Sequence, residues 1–296
     1  MMKGTPYSQT YAKQKTPPLP TKFSVEVTRT VASFPRRVFI QWALRKPPAG
    51  DGFLFDVYRS GSPEGEWEEL VTDLADVYLY VDGHFDEPIV AGGERRDLNL
   101  FSLHRTIYYK VVCRFGSQTA ETVAQLEAGL DRRRKGIHRK LVRDAAKALK
   151  LVVGTEVAIL KKRRWGAKCE HCVSKGTAQV VRAHCKYCWG TGFLGGYWEP
   201  VYGYAQRQRS PIQTQVAPEG HLDLNRVQVI MLNFPQVEPG DVLAFMRDDK
   251  RYKVEIVNPT QIHSVDVHQE LQVSELARSA VEYGPEIDAW HDPKWY

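Results

Sequence analysis

Two pairs of cysteines are spaced for metal chemistry. Cys169-Glu170-His171-Cys172 is followed, after twelve intervening residues, by Cys185-Lys186-Tyr187-Cys188. Two residues between cysteines let both thiolates of one turn reach a single ion while backbone amides bond the sulfurs. Two such turns close a tetrahedral four-thiolate shell with no open position, which suits a structural Zn2+ and not Lewis-acid catalysis. An iron–sulfur centre and a disulfide pairing are the alternatives that the spacing leaves open. His171 and His184 adjoin ligands and could substitute in the shell, but with four thiolates available they read as flanking polar residues. So small a segment cannot build its own core, and zinc is expected to supply much of its folding energy. In isolated finger peptides that contribution is on the order of 10–16 kcal/mol. The fifth cysteine, Cys113, stands alone. Four paired cysteines and one odd one are metal arithmetic, as in a reducing cytoplasm, more than disulfide arithmetic.

The second chemical signal is positive charge. The chain carries a net +6, yet the stretch from Asp131 to Lys168 holds fourteen Lys or Arg against three acids, so the remainder is net acidic. Arg132, Arg133, Arg139, Lys140 and Arg143, with Lys161-Lys162-Arg163-Arg164, are candidates for contact with nucleic acid or an acidic partner. A solvated helix face is the plainer reading of the same charge. Trp165, Tyr187, Trp189, Phe193, Tyr197 and Trp198 interleave with or follow basic residues. That is the composition of a single-strand-binding surface and equally of a protein interface. Neither a helix-turn-helix nor a base-reading finger helix is visible, so sequence-specific reading is not expected. The chain has no Gly-x-x-x-x-Gly-Lys-Ser/Thr loop, Gly-x-Ser-x-Gly elbow or His-Glu-x-x-His pair, and no enzymatic role is expected. His263, Asp266 and His268 read as surface polar residues.

The elements that must position these groups are mainly β. Residues 1–22 form a polar arm ending in Pro17-Pro18-Leu19-Pro20, expected to run extended, with no apolar region of a secretory signal. Over 23–125 apolar residues alternate, as in Phe23/Val25/Val27, Val38/Ile40/Trp42 and Ile107/Tyr109/Val111/Cys113. Turn clusters lie between them, which together predict an antiparallel sandwich with Trp42 and Cys113 inside. Its strands account for their own hydrophobic faces, so the module is expected to be peripheral. Residues 126–152 predict a basic amphipathic linker helix with Leu130, Ile137, Leu141, Ala145, Ala148 and Val152 on its apolar face. A zinc-ribbon region is placed at 153–204 and a small β domain at 205–280, with a hairpin turning at Arg247-Asp248-Asp249. A C-terminal arm, 281–296, brings Trp290, Trp295 and Tyr296, which are expected to anchor on a neighbouring chain because exposed aromatic rings carry interface energy. No apolar run approaches the ~20 residues of a membrane helix.

Family resemblances follow from these motifs. Trp42 with the later Tyr109-Lys110-Val111 resembles the fibronectin type III pattern. Cys185 through Gly192 resembles one half-repeat of the cysteine-rich region of DnaJ-type chaperones, whose other units and J domain have no counterpart here. Wider stretches are similar to neck, or head–tail connector, proteins of tailed bacteriophages: Gly154-Thr155 through Leu160-Lys161, Trp165-Gly166, both cysteine pairs, and Gly190-Thr191-Gly192-Phe193 with Gly195-Gly196-Tyr197. Gly240-Asp241-Val242-Leu243 through Val254, with Gln269-Glu270-Leu271 and Leu276, is similar to phage head–tail joining domains. The resemblance implies a virion component in a homo-oligomeric neck ring, meeting the portal or connector and tail-terminator or other neck proteins, with DNA close by and no membrane. The alternative is a zinc-ribbon nucleic-acid-binding protein acting in transcription or packaging.

Overall fold

The computed structural model describes residues 23–33, 37–83, 106–172, 184–209, 213–217, 220–224, 226–262 and 265–290. The arm at 1–22, His263, Trp295 and Tyr296 lie outside them.

Alternating apolar residues from Phe23 onward build two antiparallel sheets. One holds β1 (Ser24–Ser33), β2 (Arg37–Arg45) and β5 (Leu79–Asp82) in the order β1-β2-β5. The other holds β3 (Leu54–Ser60), β4 (Glu68–Ala75), β6 (Tyr108–Phe115) and β7 (Gln118–Gln125) in the order β4-β3-β6-β7. Their inner faces meet through Ile40, Trp42, Phe55, Val57, Tyr109 and Val111, all buried, as the two-residue period requires. Cys113 is buried among them, and burial pushes its thiol up to about 12, so it is an inert core group. Tyr109 donates its hydroxyl to Asp82 at 2.7 Å, and Arg59 forks onto the same carboxylate at 2.9 and 3.1 Å, so this buried polar network is satisfied.

Helix α1 (Arg132–Ala148) starts at Asp131, whose carboxylate accepts from the Arg134 amide at 2.8 Å. It ends in a π-helical turn, Leu149–Val153. The Gly154 amide closes that turn on the Leu149 carbonyl, and a Cβ at Gly154 would collide with the same oxygen. The buried face is Lys135, His138, Val142, Ala146 and Leu149, rotated from the expected one. Ile137 is 46% exposed and Val152 80%, whereas Leu130 is buried. The face is chosen by polar contacts that hydropathy does not score. His138 places Nε2 3.1 Å from the Asp266 carbonyl and Nδ1 3.4 Å from Glu127. No helix among the described residues is long and apolar enough to cross a membrane.

The C-terminal half is a closed six-stranded barrel. Its strands are β8 (Thr155–Leu160), β9 (Val201–Arg209), β12 (Arg226–Leu232), β13 (Val242–Phe245), β14 (Lys250–Ile262) and β15 (Val265–Glu275). They run in the order β12-β15-β14-β13-β8-β9, with β9 back against β12. A two-stranded ribbon, β10 (Gln213–Ala217) and β11 (Gly220–Leu224), lies between β9 and β12 in the chain. The β13–β14 hairpin turns at Arg247–Asp249 as expected. The division at 204/205 does not follow the sheet, because β8 and the first four residues of β9 lie within 153–204 yet belong to the barrel. The cysteine region is an insertion between two of its strands.

Nor is the sandwich peripheral. One continuous buried core includes Trp42 and Tyr109 from the sandwich, Trp165 and Trp198 beside the cysteines, and Leu271 and Val273 from the barrel. Phe39 of β2 stacks on Phe234 at 4.1 Å. The Gln41 side chain donates to the Gln236 carbonyl at 3.1 Å and accepts from its amide at 2.8 Å. That loop is itself pinned by Gln269, fully buried, which donates to the Leu232 and Pro235 carbonyls and accepts from the Val237 amide. Asp266, expected at the surface, pairs with Arg29 of β1.

The helix is tied in by Glu127, whose buried carboxylate accepts from Arg139 at 2.7 Å. Burial would raise this carboxyl, but the His138 and Arg139 contacts outweigh it and hold it below the usual glutamate range. A carboxylate held below its unfolded value stabilises the fold above that value, and the contribution is lost as pH falls through the folded one. Glu127→Gln is therefore expected to lower stability at pH 7 by about 3–5 kcal/mol, the usual cost of removing one partner from a buried pair. The gap to wild type should shrink as pH falls below about 4.3, the ordinary glutamate value. Equal denaturant midpoints at pH 7 would show that the pair does not secure the helix.

Candidate metal centre

Strands β8 and β9 pair from Thr155↔Ala205 to Ile159↔Val201. The ladder continues outward through bridges Lys162↔Tyr197 and Lys168↔Phe193. Hydrogen bonds from the Trp198 amide to the Lys161 carbonyl, the Leu194 amide to Ala167 and the Cys169 amide to Gly192 hold the two stems together. The cysteines sit at the tip of this stem. All four are buried, and their sulfurs lie within 4.8 Å of one another. Cys169 and Cys185 Sγ are 3.7 Å apart, and Cys172 and Cys188 Sγ 3.1 Å. A tetrahedral site with metal–sulfur bonds of about 2.3 Å sets sulfurs about 3.8 Å apart, so the cluster is sized for one ion. It comes from the two tight turns that the sequence singled out.

Backbone amides aim at the sulfurs, the His171 amide at Cys169 and the Tyr187 and Cys188 amides at Cys185. The Tyr187 amide, helped by that of Cys188, draws the Cys185 thiol down to about 7, while burial pushes Cys169 and Cys172 up. Four thiols in so small a volume cannot all ionise without a cation among them, and a bound cation reverses that balance. Such a site can fix backbone geometry. With four protein ligands around one ion it has no position left for a substrate.

The flanking residues divide clearly. His171 and His184 are exposed, and His171 stacks on Tyr187 at 4.3 Å instead of joining the sulfurs. Trp165, Tyr197 and Trp198 are buried and therefore no stacking platform for bases. Trp198 touches Trp165 at 5.1 Å and Tyr78 of the sandwich at 5.8 Å, and the Arg163 guanidinium covers its ring at 4.2 Å. Sequence reasoning missed Thr191, whose hydroxyl donates to the Cys188 carbonyl at 2.8 Å and accepts from the Phe193 amide. It also missed the packing role of Gly196. That residue has φ +57°, and a Cβ there would lie 2.6 Å from the Trp189 ring and 2.7 Å from the Cys188 carbonyl. The glycine clusters Gly190-Thr191-Gly192 and Gly195-Gly196, readable as tight turns beside a metal, were the available signals.

The basic candidates also separate. Lys161 is buried against Glu238 at 2.9 Å and Asp241 at 3.1 Å, and Arg164 bonds Glu238 at 2.7 Å. The Lys162 amide donates to Asp241 at 2.9 Å, and Arg163 pairs with Asp76 at 3.3 Å. The side chains of Lys161, Arg163 and Arg164 are thus engaged with carboxylates of the chain itself. Arg139 is committed to Glu127, and Arg143 reaches Asp144 at 3.3 Å. Arg132, Arg133 and Lys140 are exposed on α1.

The arm also differs from expectation. Arg251 of β14 donates to the carbonyls of Glu282 and Pro285 at 2.7 and 3.0 Å, and Tyr202 donates to that of Asp288 at 3.3 Å. Trp290 lies edge-on to Tyr202 and Tyr204 at 5.7 and 5.3 Å. The described part of the arm folds onto its own barrel, where Gly284 meets the Trp189 ring.

Stripping the metal, or Cys172→Ser, is expected to raise amide exchange by at least tenfold across 166–172 and 184–196. The buried β8, β9 and Trp198 should keep their protection, because they belong to the common core. Unchanged exchange at the tip would show that no ion closes it, and collapse of β8 would show that the barrel depends on it. No protein-family model and no curated protein matches this chain, so any role must be argued from its own residues.

Proposed function

We propose that the chain is a structural component of a tailed-phage virion, a subunit of the neck ring between portal vertex and tail. In this reading its four-cysteine tip is a zinc ribbon and its N-terminal module a fibronectin type III-like sandwich. The observation that carries the reading is spatial convergence. The stretches similar to neck and head–tail joining proteins are scattered over 154–200 and 240–276, yet they fall on one unit. Gly154 to Leu160 enters β8, Gly240 to Leu243 enters β13, Arg251 to Val254 lies in β14, and Gln269 to Leu271 lies in β15. The cysteine turns cap the hairpin that joins two of those strands. Among the described residues, seven strands in two antiparallel sheets with Trp42 and Tyr109 inside support the fibronectin-like reading. A shell of four thiolates supports zinc, which holds the tip and does no chemistry on a substrate. The partners are further copies of the chain, the portal or connector and the tail terminator, and the location is the virion.

A nucleic-acid-binding role is the second reading, favoured only by the exposed Arg132, Arg133 and Lys140. Purified protein is expected to contain one equivalent of zinc per chain by elemental analysis and to form a large cyclic particle by mass photometry and electron microscopy. Iron in place of zinc would remove the ribbon assignment. A monomer at every concentration, with salt-dependent DNA affinity, would replace the neck reading by the second one.

A further inference from the structure

The charge of this chain is divided between two surfaces that face away from each other. From Gly61 to Asp76 there are six carboxylates and no Lys or Arg, while from Arg132 to Lys150 there are nine Lys or Arg and one acid. The acidic stretch is the turn into β4 and β4 itself, the outer strand of its sheet. The opposite edge of that sheet, β7, lies beside β1, and β1 lies against α1. The basic helix and the acidic edge therefore occupy opposite sides of the sandwich, and one cannot neutralise the other within the chain.

Both surfaces are open. Glu64, Glu66 and Glu69 are exposed and have no salt-bridge partner among the described residues, whereas Glu68, Asp73 and Asp76 already pair with Arg59, Arg114 and Arg163. On the helix, Arg132, Lys140 and Lys147 are exposed and likewise lack a salt-bridge partner among the described residues. Arg133, Ile137, Lys140, Asp144 and Lys147 recur at four- and three-residue steps, which makes one solvent-facing stripe. Ile137 is 46% exposed within it, and it leads to Leu151 and Val152, 74% and 80% exposed. Three arginines, 132–134, also crowd the first turn, where the helix dipole is positive and the one acidic side chain nearby, Asp131, is already held by the Arg134 amide and guanidinium. An anionic surface laid across that turn relieves this repulsion.

We infer that the solvent face of α1 docks on the acidic β4 edge of a second copy of this chain, head to tail. The inference rests on the assembly reading above and names the surfaces that carry it. A copy fits this stripe better than a phosphate backbone does. The stripe holds an isoleucine and an aspartate among its cations and ends in apolar residues, and the complementary acids stand on the chain itself. Contacts between two different patches propagate from copy to copy and close into a ring when the rotation allows.

The test uses two double charge reversals in the full-length chain, Lys140→Glu with Lys147→Glu and Glu66→Lys with Glu69→Lys, each checked for folding by circular dichroism. Each is expected to weaken self-association at least tenfold at low salt. Mixing the two variants should restore heterotypic contacts only, because the helix of each then meets an edge of opposite charge on the other, while like variants repel. All four changes in one chain should restore full assembly. Assembly unaffected by either reversal overturns this inference and leaves the neck reading standing, while a wild-type monomer at every concentration removes both. If the helix reversals abolish binding to DNA and leave association intact, the stripe serves nucleic acid and the inference fails. Loss in both variants without rescue in the mixture or the fourfold variant also refutes the pairing.

Discussion

Asp266 is where the separate parts of this chain are made into one body. Its carboxylate takes Arg29 from the sandwich. Its carbonyl accepts from Asn233 Nδ2 of the barrel loop at 2.6 Å and faces His138 Nε2 of the helix at 3.1 Å. Hydrogen bonds and ion pairs of this kind are directional, and more strongly so away from water. A junction made this way fixes the angle between modules, where an apolar contact of similar area would tolerate sliding. Phe39 on Phe234 and the Gln41–Gln236 pair then have a defined loop to land on, because Gln269 holds that loop from inside the barrel.

A second polar cluster does the same for the metal tip. Asp241 is fully buried and takes the Lys161 ammonium, the Lys162 amide and the Glu238 amide. Burial alone pushes its carboxyl up, and these donors act against that. The stem that carries the cysteines is thereby anchored to the turn before β13. The tip is fixed at its base by charge and carries the buried four-cysteine cluster at its end, with Trp198 between them in the common core. A four-thiolate clip on a floppy stem would order only itself. On this stem it extends a rigid hairpin.

Local chemistry was legible and distant partnership was not. The cysteine turns were readable because two-residue spacing is itself the ligand geometry, and Trp42, Tyr109 and Cys113 were readable because period two decides which face is buried. The β13–β14 hairpin was marked by its Arg247-Asp248-Asp249 turn. What escaped notice depends on residues far apart. Lys161 looks like a surface cation until Glu238 and Asp241, some eighty positions on, are placed beside it. The apolar face of α1 was misjudged for a related reason: its buried side carries Lys135 and His138, whose placement is decided by groups on other elements. The stem was assigned to the metal region because β8 and β9 are separated by the very insertion they support.

The closed barrel has a consequence for how the chain stays out of aggregates. A sheet closed on itself leaves no row of free amides and carbonyls, so a neighbouring strand cannot add to it. Among the described residues, unpaired strand edges are confined to the sandwich and to the β10–β11 ribbon. On the β4 edge, Glu68, Glu69 and Asp73 stand exposed, and Asp73, with φ +58°, interrupts the regular strand. Charges and irregular backbone at such a position are what keep edges from templating cross-β growth. The β4 carboxylates thus also act as gatekeepers, and replacing them with apolar residues would turn a guarded edge into a sticky one.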